Sequence, residues 1–270
     1  PIGNARDISL RALDVLKGCD VIAAEDTRVT SKLLAIHGVS RPLVPYNDHN
    51  GPEMRPRLLA RLEKGEAVVL VSDAGTPLVS DPGFKLVRAA VDAGANVVAI
   101  PGASAVLTGL ALAGLPSDRF LFAGFLPSRS GERQTVLEDL KGVRATLIFF
   151  ESAQRLADSL AAMADVLGDR PAVMARELTK LHEEVRRGTL AGLAAHYGKA
   201  GAPRGEVTLL VAPPLEAAPD AAKTDAALKA ALAFMPVKAA AELVAGLTGD
   251  SRKALYARAL ELKPELKDGE

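Results

Sequence analysis

The stretch Val68–Gly83, VVLVSDAGTPLVSDPG, joins an apolar run to a dense group of turn-forming residues. Its first four residues are Val or Leu, which is typical of a buried strand. Gly75, Pro77 and Pro82 follow among aspartates, serines and a threonine, and such a composition favours a loop. A polar, glycine-bearing loop directly after a buried strand indicates a ligand-binding edge of an α/β sheet.

The same arrangement recurs along the chain, because apolar runs alternate with amphipathic helical patterns. Strands are predicted at Val21–Ala24, Ala67–Ser72, Asn96–Ile100, Phe120–Phe125, Thr146–Phe150, Ala172–Arg176 and Val207–Ala212. This alternation predicts a mostly parallel sheet covered by helices. Since ligands bind at the carboxyl ends of the strands in such sheets, the polar loops that follow the strands should meet at one edge.

Capping residues place the helices between these strands. Asp7 is predicted to cap a first helix that ends at Gly18, and Ser80 or Asp81 to cap a helix that begins at Gly83. Further helices are predicted at Thr27–Ile36, Glu53–Lys64, Ala103–Ala113, Glu132–Leu140, Ala153–Leu167 and Leu190–Tyr197. Ser104 is interpreted both as a helix cap and as a residue that contacts a ligand.

Composition limits the class of protein. With 270 residues, 49% of them apolar, the chain can bury a sizeable core, and a formal net charge of zero disfavours general nucleic-acid binding. The single cysteine, Cys19, excludes a disulfide framework and favours a reducing, cytoplasmic location. Val97–Leu115 carries no charge, but its prolines and glycines predict a strand, turn and buried helix rather than a membrane span.

Several common sites are disfavoured by the motifs that the chain lacks. Neither the G-x-G-x-x-G nor the G-x-x-x-x-G-K-[ST] fingerprint is present, which disfavours an ordinary dehydrogenase or P-loop enzyme. The four histidines have no ligand spacing, so no metal site is expected.

Composition also divides the chain into regions. We expect an N-terminal α/β domain over 1–115, a second α/β domain over 116–213, a linker over 214–224 and a helical extension over 225–270. The extension is compatible with a helix-turn-helix and equally with a dimerisation element. Because the chain opens on a turn-like run at Pro1, we also expect a strand to precede that residue.

Taken together, the polar loops resemble the tetrapyrrole methylase superfamily, and within it the branch that methylates ribosomal RNA. The runs that carry the resemblance are Pro1–Asn4, Ala24–Arg28, Ser72–Pro77, Ser80–Gly83, Pro101–Ala105, Phe150–Ser152 with Arg155, and Arg176–Lys180. They extend from Pro1 to about Pro213, and the C-terminal helices match more loosely. The resemblance implies two α/β domains of the tetrapyrrole methylase type with a cofactor cleft between them, plus a small C-terminal helical extension.

The resemblance further implies S-adenosylmethionine as the cofactor and 2′-O-methylation of a cytidine ribose in 16S rRNA within the small ribosomal subunit. Members of the family are typically homodimers, and no membrane partner is expected. Two alternatives stay open: a methylase acting on a tetrapyrrole such as a corrinoid precursor, and a ribosome-associated binding protein that has lost catalysis.

By the same resemblance, the cofactor is expected to contact residues of three loops. Gly75 lets the backbone approach a ligand closely because it has no Cβ, and a carboxylate such as Asp73 can accept from ribose hydroxyls or an ammonium group. The predicted cofactor residues are Asp73, Ala74, Gly75, Thr76, Pro77, Pro101, Gly102, Ser104, Ala105, Phe150 and Glu151.

The catalytic residues are predicted from the chemistry of the 2′-hydroxyl group, a poor acid that needs a base or a nearby cation. Candidates are Glu177, Lys180, Asp26 and Arg28, together with Glu25. Lys180 would act as a base if burial near Arg176 lowered its pKa, whereas Arg28 suits a phosphate clamp. The alternative for all of them is a network of ion pairs between the domains.

Contacts with RNA phosphates are predicted from basic side chains, since aromatic residues make up only 4% of the chain. The candidates are Arg28, Lys32, Arg41, Arg55, Arg57, Arg61, Arg129, Arg133, Arg186, Arg187 and Arg204.

Overall fold

The computed structural model describes residues 1–214 and 221–265. The chain divides into two compact units, Pro1–Pro214 and Leu215–Glu270, and each is described by itself. The predicted linker lies mostly at 215–220, outside the described residues.

A three-stranded parallel sheet begins the first unit. Strand β1 (Val21–Ala24) lies between β2 (Leu43–Pro45) and β3 (Val68–Val71), with Ile22 opposite Leu43 and Val69. All four residues of β1 are buried, because the central strand of a parallel sheet is covered on both faces. The predicted β1 is confirmed, while β2 was not predicted.

Four helices accompany this sheet: α1 (Leu10–Gly18), α2 (Thr27–Ile36), α3 (Gly51–Glu63) and α4 (Phe84–Asp92). Helix α5 (Ala105–Ala113) follows them in the chain but packs on the second sheet. The predicted bounds of α2 are confirmed, and the Asp26 side chain caps it by accepting from the Arg28 N–H. The predicted cap of α1 is wrong. Asp7 ends a short 3-10 helix, and Ser9 caps α1 by accepting from the Ala12 N–H.

The strand predicted at 96–100 is not formed. The residues from Asn96 to Ile100 have no regular secondary structure, and Val97 and Val98 are 47% and 62% exposed. No strand of the described chain pairs with this run. An apolar sequence alone therefore did not suffice, because a strand forms only with a partner for its backbone hydrogen bonds.

The second sheet contains five strands in the order β4-β5-β8-β6-β7. Their bounds are Phe120–Phe125, Thr146–Ser152, Pro171–Arg176, Glu184–Thr189 and Glu206–Val211 for β4 to β8 in chain order. Only β4 and β5 pair in parallel, whereas β8 lies antiparallel between β5 and β6, and β7 lies antiparallel to β6. The prediction of a mostly parallel sheet is therefore wrong for this half.

Both faces of the second sheet are covered, so its central strands alternate between two cores. Leu147 and Phe149 of β5 pack on one face with residues of α6 (Ser130–Leu140), α7 (Leu156–Leu167) and α8 (Leu190–Ala200). Ile148 of the same strand packs on the opposite face with Val106 and Leu110 of α5. The α/β class predicted from the sequence is confirmed.

The described part of the second unit consists of the helices α9 (Ala221–Leu232), α10 (Val237–Thr248) and α11 (Arg252–Glu265). Leu228, Ala240, Val244 and Leu262 are almost completely buried and form its core. Arg258 on α11 pairs with Asp225 on α9 at 2.5 Å. These helices confirm the predicted C-terminal helical extension.

In the described residues, none of the helices has both the length and the apolar character required to cross a lipid bilayer.

Candidate functional site

The loop that follows β3 is held in an unusual backbone conformation. Gly75 has a φ of +82° and donates its N–H to the Pro1 carbonyl at 2.8 Å. Leu78 and Ser80 have φ angles of +75° and +63°, which side-chain-bearing residues rarely adopt. Strained residues of this kind cluster at binding and catalytic sites, where the surrounding structure maintains them.

This loop forms one wall of a cavity of about 650 Å³, a volume that suits a small molecule. Predicted cofactor residues from all three loops meet there: Ala74, Gly75, Thr76, Ser104, Ala105, Phe150 and Glu151. The carboxyl ends of β3, β4 and β5 and the start of α5 thus converge on one space, as the sheet rule indicates for parallel strands.

Four other predicted cofactor residues lie elsewhere. Asp73 lines a neighbouring cavity of about 310 Å³ with Pro1, Lys180 and Glu206. Pro77, Pro101 and Gly102 line neither cavity, and Pro101 and Gly102 are exposed. The contact of these residues with a cofactor stays a prediction. Ser104 precedes α5 with extended backbone angles, but its side chain makes no capping hydrogen bond.

Aromatic rings form the wall contributed by β4 and β5. The Phe150 ring makes edge-to-face contacts with Phe122 and Phe125, at centroid distances of 4.8 and 5.7 Å. Phe125 also lines the cavity and is 54% exposed. Two aromatic side chains at the mouth offer apolar surface to a flat ring such as adenine.

Glu151 is a buried carboxylate in the same wall, and its oxygens are fully engaged. Oε1 accepts from the Ser152 N–H at 2.8 Å and pairs with Arg155 at 2.6 Å, while Oε2 accepts from the Ser159 hydroxyl at 2.6 Å. Arg155 donates as well to the Leu126 carbonyl. Glu151 therefore fixes the end of β5 to α7 and to the loop after β4.

Antiparallel β8 brings a further loop to the cavity, which the sequence analysis did not identify. Since β8 runs opposite to β5 and β6, its amino end lies beside their carboxyl ends, with Glu206 opposite Ser152. Residues 202–208 consequently line the cavity, and Arg204 is the cation among the described lining residues. The glycine and proline in AGAPRG (200–205) are typical of a turn, but in a parallel sheet a loop that precedes a strand lies at the edge opposite to the site.

Two of the predicted catalytic residues form a compact ion-pair network. Lys180 Nζ lies 2.8 Å from Glu177 Oε1 and 2.9 Å from Glu206 Oε2. Glu177 has a φ of +51° and lies so close to Gly205 that a Cβ there would be 2.4 Å from its carboxyl carbon. The two loops after β6 and before β8 are thus closely fitted together.

This network does not provide the lowered pKa on which the predicted role of Lys180 as a base depends. Burial alone would lower the pKa of Lys180, but hydrogen bonds to Glu177 and Glu206 outweigh it and raise that pKa above its usual value. Hydrogen bonding to Lys180 correspondingly lowers the pKa of Glu177. Lys180 is therefore a cation that can orient a ligand, and the ion-pair alternative describes these two residues.

The other two predicted catalytic residues, Asp26 and Arg28, pair with each other at the end of β1. Their closest contact is 2.5 Å, and the hydrogen bond to the Arg28 side chain lowers the pKa of Asp26 to about 2. A carboxylate with so low a pKa is a poor base at neutral pH. Arg28 is 86% exposed, so it stays accessible to an anion.

Backbone hydrogen bonds connect this pair to the loop after β3. The Asp26 N–H donates to Asp73 Oδ1 at 3.0 Å, and the Asp73 N–H lies 3.3 Å from Glu25 Oε2. Carboxylates from the ends of β1 and β3 are therefore concentrated beside the two cavities. Such a concentration of negative charge favours a cationic ligand.

Asp81 is the residue whose position the sequence analysis misjudged. Gly83, not Asp81, occupies the cap position of α4, and no side chain makes a capping hydrogen bond there. Asp81 instead lines the large cavity. Burial raises its pKa to about 6, and the charges of Glu25 and Asp73 act in the same direction against a hydrogen bond with Ser72. The signal was its place in Ser80–Gly83, the second polar group of the loop.

The predicted basic side chains are only partly available to RNA. Arg57, Arg61, Arg129 and Arg186 form ion pairs with neighbouring glutamates. Arg41 donates to the Lys17 carbonyl and Arg187 to the carbonyls of Leu112 and Ala113, so both also stabilise the fold. Within the described chain, Lys32, Arg55 and Arg204 have no ion-pair partner.

No group of three or more His, Cys, Asp or Glu side chains is placed to hold a metal ion within residues 1–214 and 221–265.

Comparison with protein families identifies relatives for both units. The profile described as "Tetrapyrrole (Corrin/Porphyrin) Methylases" matches residues 1–194, and the profile described as "RsmI C-terminal HTH domain" matches residues 218–263.

Individual proteins match over nearly the whole chain. "Ribosomal RNA small subunit methyltransferase I" of Mesorhizobium japonicum is 52% identical, and the alignment covers 100% of this chain and 92% of that protein. The protein of the same name from Erythrobacter litoralis is 54% identical, with 97% and 93% covered. A solved uroporphyrin-III C-methyl transferase from Thermus thermophilus, complexed with S-adenyl homocysteine, shares the fold with a TM-score of 0.53. Its identity is 21%, and the match covers 77% of this chain and 92% of that one.

Proposed function

Because the chain belongs to the tetrapyrrole methylase family, we propose that it transfers a methyl group from S-adenosylmethionine to RNA of the small ribosomal subunit. The observation that carries this proposal is the 52–54% identity to relatives of that name over essentially the full chain, helical extension included. The finer proposal, from the motif resemblance, is 2′-O-methylation of a cytidine ribose in 16S rRNA.

The residues around the large cavity fit S-adenosylmethionine. Its volume of about 650 Å³ suits a molecule of that size, and Ala74, Gly75, Ser104 and Ala105 keep its walls close to the backbone. A Cβ at Gly75 would make ordinary van der Waals contacts with Ile2 at 3.6 Å and the Ala103 carbonyl at 3.9 Å, so what the glycine provides there is its backbone conformation, with a φ of +82°. When bound, the cofactor supplies a methyl group on a positively charged sulfur.

The chain's own residues supply charge and position. Asp73 provides negative charge beside the cavities, which favours a cationic sulfur and ammonium. Arg204 in the cavity wall and exposed Arg28 are among the cations that can contact phosphates of the RNA. Holding the reacting groups in line can contribute roughly 7–11 kcal/mol to catalysis.

The cellular setting and assembly belong to the same proposal. The RNA substrate and the single cysteine favour the cytoplasm. A homodimer is expected from the family resemblance, and the exposed apolar side chains of Phe84, Val98 and Leu107 provide surface that such an assembly would cover. Light scattering at micromolar concentration tests the dimer separately from the activity.

The activity is tested by transfer of labelled methyl from S-adenosylmethionine to 30S subunits from a strain that lacks the enzyme. Label on one cytidine ribose, mapped after nuclease digestion, is the expected result. Label on a tetrapyrrole precursor but not on RNA would support the first alternative. Cofactor binding without transfer to either would support a non-catalytic binding protein.

Two matched glycine variants test the cofactor site. Gly75 and Gly65 have φ angles of +82° and +81°, so alanine strains the backbone equally at both, by about 1–2 kcal/mol. Only Gly75 lines the cavity; Gly65 follows α3 with open space around it. We expect both variants to lose similar stability, and calorimetry to show weaker cofactor binding for G75A alone. Equal affinities would place the cofactor away from this loop.

A further inference from the structure

Three described residues of the cavity wall carry carboxylates: Asp81, Glu151 and Glu206. No described histidine, lysine, tyrosine or cysteine lines it, so a base that acts inside the cavity has to be one of these three. We propose that Asp81 is this base, and that it accepts the proton of the hydroxyl group that becomes methylated. The proposal rests on the proposed function.

The two other carboxylates, Glu151 and Glu206, already have hydrogen-bond donors or cations as partners. Glu151 accepts from Ser152 and Ser159 and pairs with Arg155, so an added proton would break a buried ion pair. Glu206 pairs with Lys180 at 2.9 Å. In both cases a cation already pairs with the carboxylate, so a substrate hydroxyl group would have to displace that cation.

The carboxylates predicted from the sequence are unsuitable for the same reason. Asp26 is held by Arg28 and Glu177 by Lys180, and neither lines the large cavity. Glu25 accepts from the Asp73 N–H, and Asp73 from the Asp26 N–H. Each already accepts a backbone hydrogen bond, and neither lines the large cavity.

Asp81 differs because no cation of the described chain pairs with it. Its charged neighbours are Glu25 and Asp73, both negative, and Ser72 is its hydrogen-bond partner. Partial burial and two like charges favour the protonated form of Asp81 and raise its pKa. With a pKa of about 6, the group is mostly ionised near neutral pH and is still basic enough to accept a proton.

The backbone holds this carboxylate in a defined place. Ser80, the residue before it, has a φ of +63°, and its hydroxyl oxygen would lie 3.7 Å from a Cβ at Gly124 of β4. Gly83, two residues on, has a φ of +134° and would clash with Leu70 if it carried a Cβ. Asp81 is therefore fixed between two constrained positions, as a base that must meet one hydroxyl group requires.

The step balances without a further reactant. The hydroxyl oxygen forms a bond to the methyl carbon and loses its proton to the Asp81 carboxylate. The bond from that carbon to the donor's sulfonium sulfur breaks, and its electron pair stays on sulfur. The neutral Asp81 carboxylic acid then returns its proton to water.

The test compares wild type with D81N in single-turnover methylation of 30S subunits across pH, with cofactor affinity measured by calorimetry. General-base catalysis contributes about 10²–10⁴-fold, so we expect a loss in that range for D81N. The wild-type rate should fall below about pH 6, and this acid limb should be absent in D81N. Cofactor affinity should stay within about threefold.

Other outcomes separate this inference from the proposed function. A wild type that binds cofactor but methylates no RNA contradicts the function itself. An active wild type with an equally active D81N, or a D81N that loses cofactor binding, overturns the role of Asp81 as a base. D139N, which changes an exposed aspartate on α6, serves as the control and should behave as wild type.

If D81N fails to fold, D81E keeps the carboxylate but moves it by one methylene group. The proposal then predicts a reduced rate that retains its acid limb, because a displaced base still titrates. A D81E rate without that limb would overturn the proposal. A carbon-13 titration of the Asp81 carboxyl in the wild type provides a readout independent of activity, with a midpoint near 6 expected.

Discussion

Glu151 and Asp81 are carboxylates in walls of the same cavity, one at the end of β5 and the other in the loop after β3. Glu151 is almost fully buried, yet its charge is balanced by Arg155 and by hydrogen bonds from Ser152 and Ser159. Asp81 is less buried, but its charged neighbours Glu25 and Asp73 repel it. Burial alone thus does not decide what a carboxylate does in this site.

The charged and hydrogen-bonding neighbours of each carboxylate decide its role. A carboxylate paired with a cation, such as Glu151, holds elements of the fold together, since its loss would break several interactions at once. A carboxylate with negative neighbours, such as Asp81, binds a proton more readily, destabilises the folded state while it is ionised, and is free to react. Comparison of the two residues should therefore separate a variant that loses stability from one that loses activity.

The largest effect on stability is expected at Glu151. E151A leaves the partly buried Arg155 without its anion and Ser159 without its acceptor, and breaking such a pair typically costs about 3 kcal/mol of unfolding free energy. Urea denaturation followed by circular dichroism measures this. The matched control is E53A on α3, which removes an ion pair in which both side chains are at least 66% exposed.

E53A should change the free energy of unfolding by less than about 0.5 kcal/mol. Similar losses in E151A and E53A would mean that burial of the Glu151 pair adds nothing, and the contrast with Asp81 would then fail.

D81N is expected to raise the free energy of unfolding, whereas E151A lowers it. The folded-state pKa of about 6 lies above the ordinary 3.8, so the folded state binds the proton more tightly and wild-type stability falls as pH rises through this window. Above it, the ionised carboxylate destabilises the fold. D81N should therefore be more stable than wild type at pH 7.5, and the two should converge near pH 4.

The gain in D81N should be about 1 kcal/mol, less than the full shift implies, because partial exposure screens the charge. Thermal unfolding at both pH values measures it, with D139N as the reference. A D81N less stable than wild type at pH 7.5 would show that the Asp81 charge is balanced by a cation after all.

Local signals explain how much of the fold could be predicted. Val21–Ala24 and Thr27–Ile36 were placed with their observed bounds, since a short apolar run and a helical pattern are signals contained within a few residues. Asn96–Ile100 is as apolar as a strand but pairs with no described strand, and pairing depends on distant residues. Glu184–Thr189, sequence EVRRGT, forms a strand although it has no apolar alternation, because it pairs with β6 at the sheet edge.

The residues of the site fall into the same two groups, those indicated by local sequence and those placed by contacts with distant residues. Ala74, Gly75 and Thr76 were identified from a motif contiguous in sequence, and the structure places them in the cavity wall. Glu206 was not identified, and Arg204 was predicted only as a contact for RNA phosphates, because the antiparallel direction of β8 brings both to the cavity wall. The charge state of Lys180 depends on Glu206, 26 residues away, and no local pattern indicated that contact. Proton affinities follow from such tertiary neighbours.

Glu206, the third carboxylate of the cavity wall, is expected to give the smallest effect and to refine the comparison. It is balanced as Glu151 is, by Lys180 at 2.9 Å, but its side chain is 72% exposed. Lys180 also keeps Glu177 as a partner at 2.8 Å.

E206Q should therefore lower the free energy of unfolding by no more than about 0.5 kcal/mol, since solvent screens the pair. That loss should be detectable at about 0.01 M salt and vanish at about 1 M, where the Debye length falls from about 30 to about 3 Å. Urea denaturation at both salt concentrations measures it, beside E53Q as an exposed pair remote from the cavity wall. A salt-independent loss close to that of E151A would mean that Glu206 and Lys180 act as a buried unit, and that exposure is a poor guide to how strongly a carboxylate of this cavity is held.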